Sequence, residues 1–416
     1  MERCIFHIDM NGCFAGIECL HRPEIRDKPV AVGGDVQARH GIILAKNQHA
    51  KGYGIKTGEA LWQAKQKCPQ LIIVPPNYDL YMRFSRLARE IYGEYSSQIE
   101  PFGIDEAWVD VTGTPKLKGT GEDLANEIRE RVKFELGITV SIGVSFNKVF
   151  AKLGSDYKKP DAVSVFTRDN FKKLVWELPA EDMLYVGRAT SKKLRGYGIN
   201  TIGDIAKTPP EALHGWFGKC GLILHAFANG QDNSPVSLAG DEAIIKSIGN
   251  STTSPRDLEN EEDAKIILYM LCESVAERMR EEGFSARTLQ ISLRDSDLLS
   301  FERQTKLQTP SCLAAELHAA AMQLLRSSYQ WQKPLRSIGV RATDFVDSAS
   351  ACQLSIFEDS EKRRRTECLE RTMDDIRRRF GHYAIGRAVT ASDRSLTNIN
   401  PKDDHVIHPT GYFNMR

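Results

Sequence analysis

Residues 101–111 read PFGIDEAWVDV, and no other stretch narrows the choice of fold as much. Ile104, Ala107, Trp108, Val109 and Val111 mark a strand with little polar relief, yet Asp105 and Glu106 stand side by side within it. Successive strand residues face opposite ways, so one solvated face cannot serve both carboxylates. An unpaired buried carboxylate is costly, and a fold that holds this stretch must compensate for it. A further carboxylate, Asp9, closes the apolar run CIFHID at 4–9. If the two strands are neighbours, three hard oxygen ligands meet at one end of a sheet. Such a set suits Mg²⁺, with two ions about 4 Å apart holding a triphosphate and activating a hydroxyl for in-line displacement. N-caps and solvated turns are the other common homes of such residues, and Asp241 with Glu242 repeats the dipeptide in a plain polar stretch.

Composition is compatible with such a site without demanding it. With 416 residues, 41% hydrophobic and 27% charged, the chain can bury the cores of roughly two to four domains. No stretch approaches the ~20 apolar residues of a membrane span, so no membrane partner is expected. The opening MERCIFHID enters a strand directly, with no basic leader. The nine cysteines are odd in number and form no CxxC pair. They speak against a disulfide framework or a zinc site and for a reducing cytoplasm. Lys and Arg total 56 against 55 Asp and Glu, so a nucleic-acid surface has to come from local clustering.

Strand and helix signals alternate over the first 166 residues. CIFHID, KPVAVGG (28–34) and GIILAKN (41–47) read as strands or strand ends, and NGCFAGIECLH as a helix. Leu80, Phe84, Leu87 and Ile91 recur at helical spacing. GEDLANEIRERVKFELG (121–137) is an amphipathic helix, ITVSIGVS a strand, and NKVFAKLGSDYKKPDAVSVF a helix and a strand. Helices flanking central strands make an α+β or α/β unit. Residues 168–235 look purely helical, with Gly187 in a tight turn, a basic helix stopped at Gly198, and Thr201 with Asp204 as the N-cap pair of the next helix. NGQDNSPVSLAGDEA (229–243) reads as a linker. From 244 to 346 the order is strand (244–250), helix (260–283), strand (286–294), strand (299–307), helix (311–328), strand (335–345). That β-α-β-β-α-β order predicts a small ferredoxin-like domain with one exposed sheet face. A tail bearing KRRR (362–365) and RRR (377–379) ends the chain.

HIDMNGCFAGIE, KGYGIKTG, GIDEAWVDVTG and GVSFNKVFAKLGSDYKKP occur in this order and at spacings that resemble the Y-family translesion DNA polymerases, the bacterial polymerase IV and polymerase V catalytic-subunit branches above all. The similarity runs from residue 1 to about 360. It implies a multidomain α+β right-hand polymerase. The ferredoxin-like palm would be residues 1–10 and 78–166, the small fingers 11–77 and the helical helix-hairpin-helix thumb 167–235. A linker at 236–243 would lead to the little finger at 244–346 and a C-terminal tail at 347–416. The implied activity is DNA-templated addition of dNTPs to a primer 3′-hydroxyl, with low fidelity and lesion bypass.

The resemblance also implies roles, residue by residue. Asp9, Asp105 and Glu106 match catalytic metal ligands, joined by the backbone carbonyl of Met10, for two Mg²⁺ ions. Phe14 matches the ring that crowds a 2′-hydroxyl. Lys51 and Lys159 match cations that neutralise the incoming triphosphate. Gln48 stands where archaeal members carry a phosphate-binding tyrosine, and Lys51 replaces an arginine that would clamp bidentately. Lys148 and Lys152, four apart on one helix face, are either a phosphate track or a solvated edge. Gly187 and the following Lys192 and Lys193 are candidates for a DNA phosphate, although Tyr185 stands where the family usually has a glycine. Ser251 and Thr252 are candidate little-finger contacts to DNA.

Gln353, Leu354, Ile356 and Phe357, in QLSIF, resemble the peptide with which bacterial polymerases bind the sliding clamp, apolar side chains entering a groove and the glutamine bonding at its rim. Primer–template DNA, dNTPs and the clamp are the expected partners of a monomeric, cytoplasmic, nucleoid-associated enzyme. Two rivals stay open at this level: a non-catalytic, clamp-binding polymerase-like scaffold, whose members lack the acidic ligands, and a metal-dependent nucleotidyl cyclase, in which the thumb hairpin and the clamp-like peptide have no task.

Overall fold

The structure, a computed structural model, describes residues 2–34, 41–114, 119–241, 244–348 and 360–402. QLSIF lies outside the described residues. The chain divides into two compact units, one of residues 2–34 and 42–241 and the other of residues 244–402. Among the described residues no helix is long and apolar enough to cross a membrane.

The strands of the first unit, in chain order, are β1 Ile5–Met10, β2 Val30–Gly33, β3 Ile43–Lys46, β4 Ile72–Val74, β5 Ile99–Pro101, β6 Glu106–Asp110, β7 Val140–Ser145 and β8 Val163–Phe166. Five of them form a sheet in the order β5-β6-β1-β7-β8, and β3-β2-β4 form a second, small sheet. β1 lies between β6 and β7, antiparallel to both, so the strand ending in Asp9 sits beside the strand opened by Glu106. Every residue of β1 is buried, because both faces are covered. Phe6, Ile8 and Met10 point into a core shared with the helices Tyr78–Gly93 and Gly121–Leu136. Ile5 on the opposite face packs with Trp108, Ala151 and Val236. That second face also carries His7 and Asp9, and the helix Lys148–Tyr157 lies against it.

The helix Lys148–Tyr157 approaches unusually closely, because Gly143 and Gly154 face each other where it crosses β7. Asn147 caps it, accepting from the Phe150 N–H at 2.7 Å. The short helices beyond residue 170 pack around Phe150, Leu194, Ile202, Leu213 and Leu224. Thr201 and Asp204 form the expected capping box.

Residues 231–239, expected to be a linker, are instead fastened to the sheet of this unit. Asp232 accepts from the Lys148 N–H at 3.2 Å, Val236 is 2% exposed, and the Ala239 N–H bonds to the Ser97 carbonyl at 2.8 Å. Polar composition signals a lack of apolar core and says nothing of side chains elsewhere that satisfy the backbone, as Glu100 does for Ser237.

The second unit has β9 Ser247–Leu258, β10 Phe284–Asp295, β11 Ser300–Ser311 and β12 Leu335–Asp347, all antiparallel in the order β11-β10-β12-β9. The helices Glu261–Glu281 and Ala314–Ser328 cover one face, against Leu289, Ile291, Ile338, Val340 and Ala342. Each β-α-β pair is split by a strand of the other pair, which closes one sheet from two crossovers.

The tail is part of this unit. The helix Ser360–Phe380 is joined to the helix Glu261–Glu281 by Arg280, whose guanidinium sits 2.7 Å from both Glu370 and Asp374, and by Arg377 at 3.0 Å from Glu273. Leu396 is fully buried in the core. Part of the basic run is therefore an internal clasp: Arg363 bonds Glu316 and the Pro310 carbonyl, while Arg364 and Arg365 are exposed.

Candidate active site

Strand pairing assembles the carboxylates. Asp9 and Glu106 are direct Cα partners across β1 and β6, the closest placement a sheet offers two side chains on one face. Asp105 lies one residue ahead of β6, after Gly103 at φ +100°, and its carbonyl accepts from the Met10 N–H at 3.0 Å. Burial pushes Asp9 up to about 6 against the pull of Lys159, with Glu106 adding to the rise. Burial likewise pushes Asp105 up to about 6, helped by the charges of Asp9 and Glu106.

Two lysines compensate for this charge. Lys159 Nζ is 2.7 Å from Asp9 Oδ2 and 2.8 Å from Asp156 Oδ1. Lys152 Nζ is 2.7 Å from Glu106 Oε2, 3.4 Å from Asp156 and 3.9 Å from Asp9. Burial opposes ionisation of Asp156, but Lys152 and Lys159 overcome it and hold that carboxyl below its ordinary value. Asn11 holds the chain that carries Lys159: its Oδ1 accepts from the Asp161 N–H at 2.8 Å and its amide donates to Ser141.

Among the described residues no set of three or more His, Cys, Asp or Glu side chains is gathered closely enough to hold a metal ion. Asp105 sits on the turn, outside the Asp9–Glu106 register, and the lysines engage both paired carboxylates. The donor chemistry nonetheless suits a hard divalent cation, all carboxylate and carbonyl oxygen. Glu106 Oε2 is buried without a hydrogen-bond partner, since the approach of Lys152 lacks hydrogen-bond direction. A buried, under-satisfied Glu106 oxygen beside Asp9 and Asp105, whose proton affinity is raised, is a donor set that a hard cation would satisfy, so the residues fit such an ion.

Phe14 opens the helix Cys13–His21. Its ring stacks on Tyr81 at 4.3 Å and meets Tyr78 edge-on at 5.8 Å. Gln48 and Lys51 are both exposed on the short helix Gln48–Gly52, capped by Asn47. Beside them, burial lowers the proton affinity of Lys46, and the nearby Lys51 lowers it further.

Several expected DNA contacts are placed differently. Lys148 lies over the Trp108 ring at 4.5 Å and 2.6 Å from Glu100, and Lys152 belongs to the carboxylate cluster. Both ammonium groups are paired with carboxylates in this structure, because helical spacing turns both side chains toward the sheet. Gly187 is not in a tight turn: it is extended at φ −79° with open space where a Cβ would stand. The left-handed conformation falls on Tyr185 at φ +71°. Lys192 is exposed, whereas Lys193 donates to the Trp216 carbonyl and lies over the Phe217 ring. Ser251 is exposed on β9, but strand alternation buries the side chain of Thr252, which is 5% exposed.

Three participants escaped sequence reasoning. His7 is two residues from Asp9 and therefore on its face of β1, a signal that was present. Asp156 stands one helical turn after Lys152, also a readable spacing. Ser155, whose Oγ lies 2.8 Å from His7 Nδ1, carried no signal, since that contact depends on how the helix Lys148–Tyr157 sits on the sheet.

The architecture is that of a Y-family polymerase. A solved Y-family DNA polymerase chimera superposes with a TM-score of 0.72 at 24% identity, covering 83% of this chain and 99% of its own. The impB/mucB/samB family model matches residues 8–156, that family's C-terminal domain residues 245–356, and a DNA polymerase-iota thumb domain residues 181–232. The chain belongs to this family, the Y family of DNA polymerases. A protein named DNA polymerase IV from Acetivibrio thermocellus is 50% identical over 399 residues, covering 96% of this chain and 100% of that protein. The DNA polymerase IV of Pelotomaculum thermopropionicum is 37% identical, covering 93% and 96%, and DNA polymerase IV 1 of Bacillus subtilis 36%, covering 94% and 93%.

Proposed function

We propose that this chain is a DNA-directed DNA polymerase that extends a primer on template DNA with dNTPs, including across damaged template bases, by two-metal nucleotidyl transfer. The observation that carries the reading is the cross-strand pair Asp9–Glu106 with Asp105 beside it, in a chain 50% identical to a DNA polymerase IV. In this reading residues 1–10 and 78–166 are the palm, 11–77 the fingers, 167–235 the thumb, 244–346 the little finger and 347–416 a tail whose residues 353–357 bind the sliding clamp.

Asp9, Asp105, Glu106 and the Met10 carbonyl would hold Mg²⁺. When bound, such ions neutralise the triphosphate and lower the pKa of the primer hydroxyl. Lys159 and Lys152 offset part of the burial that raises Asp9 and order Asp9 and Glu106 by pairing with them, and their ammonium groups would be available to phosphate oxygens once the carboxylates turn to cations. Lys51 and Gln48 face solvent, free to meet the triphosphate. Phe14, braced by Tyr81, has little rotational freedom with which to yield to a 2′-hydroxyl.

The test is primer extension with Mg²⁺ and four dNTPs on undamaged and abasic templates, beside Glu106→Ala. Extension lost in the variant supports the reading. Equal extension by both proteins refutes the placement of Glu106, and a stop at the abasic position refutes bypass of that lesion.

A further inference from the structure

His7 is fully buried in the middle of β1, a place where an apolar residue packs without cost. Its Nδ1 is 2.8 Å from Ser155 Oγ, and its Nε2 is 3.3 Å from Glu106 Oε2. Trp108, whose indole N–H is fixed on the Lys148 carbonyl at 2.9 Å, closes on the imidazole edge-to-face at 5.1 Å, and Phe102 stands at 6.4 Å. The ring therefore has one orientation, with one nitrogen toward helix Lys148–Tyr157 and the other toward the carboxylate. Nε2 of His7 and Oε2 of Glu106 are both buried without hydrogen-bond partners, and they face each other slightly off the hydrogen-bond axis. The terminal torsion of a glutamate is soft, so a small turn of Glu106 puts its oxygen on that axis.

His7 is fully buried, and its surroundings decide which ring nitrogen carries the N–H. Ser155 Oγ lies 2.8 Å from both His7 Nδ1 and the Lys152 carbonyl and has one proton to give. With the imidazole proton on Nδ1, a bare Nε2 lone pair would face a carboxylate oxygen in a dry site, which is repulsive. With the proton on Nε2, that N–H points at Glu106 and Nδ1 accepts from Ser155. The only loss is a second bond to a helical carbonyl.

We infer that His7 is a positioning residue for Glu106: its Nε2–H, held outward by Ser155 at Nδ1, sets the direction of the Glu106 carboxylate. The inference rests on Glu106 being catalytic, as proposed above. Partners of this kind typically change metal affinity or activity by about 10–100-fold when removed.

Histidine ¹⁵N spectra of the metal-free protein, with the His7 signal identified by its loss in His7→Gln, read the tautomer directly. An Nε2–H tautomer is expected, and an Nδ1–H tautomer overturns the inference whether or not any variant folds. In single-nucleotide kinetics, His7→Leu should lower kcat about 10-fold and leave KM for the dNTP little changed. Mn²⁺ binding without nucleotide should weaken by a similar factor. His7→Gln, whose amide reaches the place of Nε2, should restore both, which a purely structural role for the ring would not allow. Unchanged kcat and Mn²⁺ binding in His7→Leu, beside an inactive Glu106→Ala, refutes this inference alone. An active Glu106→Ala removes the reading on which it rests.

Discussion

Gly143→Ala is the sharpest perturbation that the structure offers. A Cβ on Gly143 would stand 1.9 Å from the Ala151 carbonyl oxygen, 2.4 Å from Ser155 N and 2.7 Å from Gly154 C. All three are backbone atoms of helix Lys148–Tyr157, so no side chain can swing aside. Ordinary contact begins at 3.4 Å, and the helix must lift by roughly 1.5 Å to admit the methyl group. Overpacking costs about 1–3 kcal/mol, and a backbone obstruction places this site at about 3 kcal/mol. At roughly 2–4 °C per kcal/mol for a unit of this size, the midpoint of thermal unfolding of the first unit should fall by about 6–12 °C. The helix carries Lys152, Ser155 and Asp156, so primer extension at a permissive temperature should fall as well. Gly196→Ala is the control: nothing lies within 4 Å of its Cβ position, and a helical Ala gains up to about 1 kcal/mol. Circular dichroism melts beside extension assays decide the matter. A Gly143→Ala protein melting within roughly 2 °C of the wild type, with normal extension, would refute the close-packed crossing and the placement of Lys152 that depends on it.

Three further outcomes follow from the same geometry. Asp105, raised to about 6 from 3.8 by burial and like charges, binds its proton more tightly folded than unfolded; the penalty is absent below about pH 4, grows to pH 6 and is constant above. Asp105→Asn should therefore stabilise the metal-free protein at pH 7.5, by up to about 3 kcal/mol, change little at pH 4 and abolish extension; melts showing no stabilisation at pH 7.5 would contradict it. Arg280 is 5% exposed between Glu370 and Asp374, so Arg280→Ala should destabilise the second unit by about 3–5 kcal/mol in urea unfolding, and a loss below about 1 kcal/mol would show that the tail is not clasped there. Lys192→Ala should weaken primer–template binding and reduce the salt slope by about 1, whereas Lys193→Ala, its ammonium already bonded to Trp216, should leave the slope unchanged in fluorescence anisotropy.

Local chemistry alone was enough for many of the strands and helices and for the Thr201–Asp204 cap, but not for β4 or the short helix Gln48–Gly52. Apolar runs marked β1 and β6, the Thr201–Asp204 box announced its helix, and the order of elements in the second unit followed from periodicity. Asp9, Asp105 and Glu106 stood out because strand alternation made their burial costly wherever the strands went. What needed the tertiary structure was every relation set by register and by packing between elements. The pairing of Asp9 with Glu106 depends on which strand lies beside β1, and the turning of Lys152 toward them depends on two glycines that let one helix descend onto the sheet. The fastening of residues 231–239 depends on Asp232 and Glu100 satisfying backbone far away in sequence, and the internal role of the tail depends on buried acids of another helix. Side-chain type and spacing act over one or two turns of chain and are legible there; a charge's partner is chosen by distance in space, which only the folded chain defines.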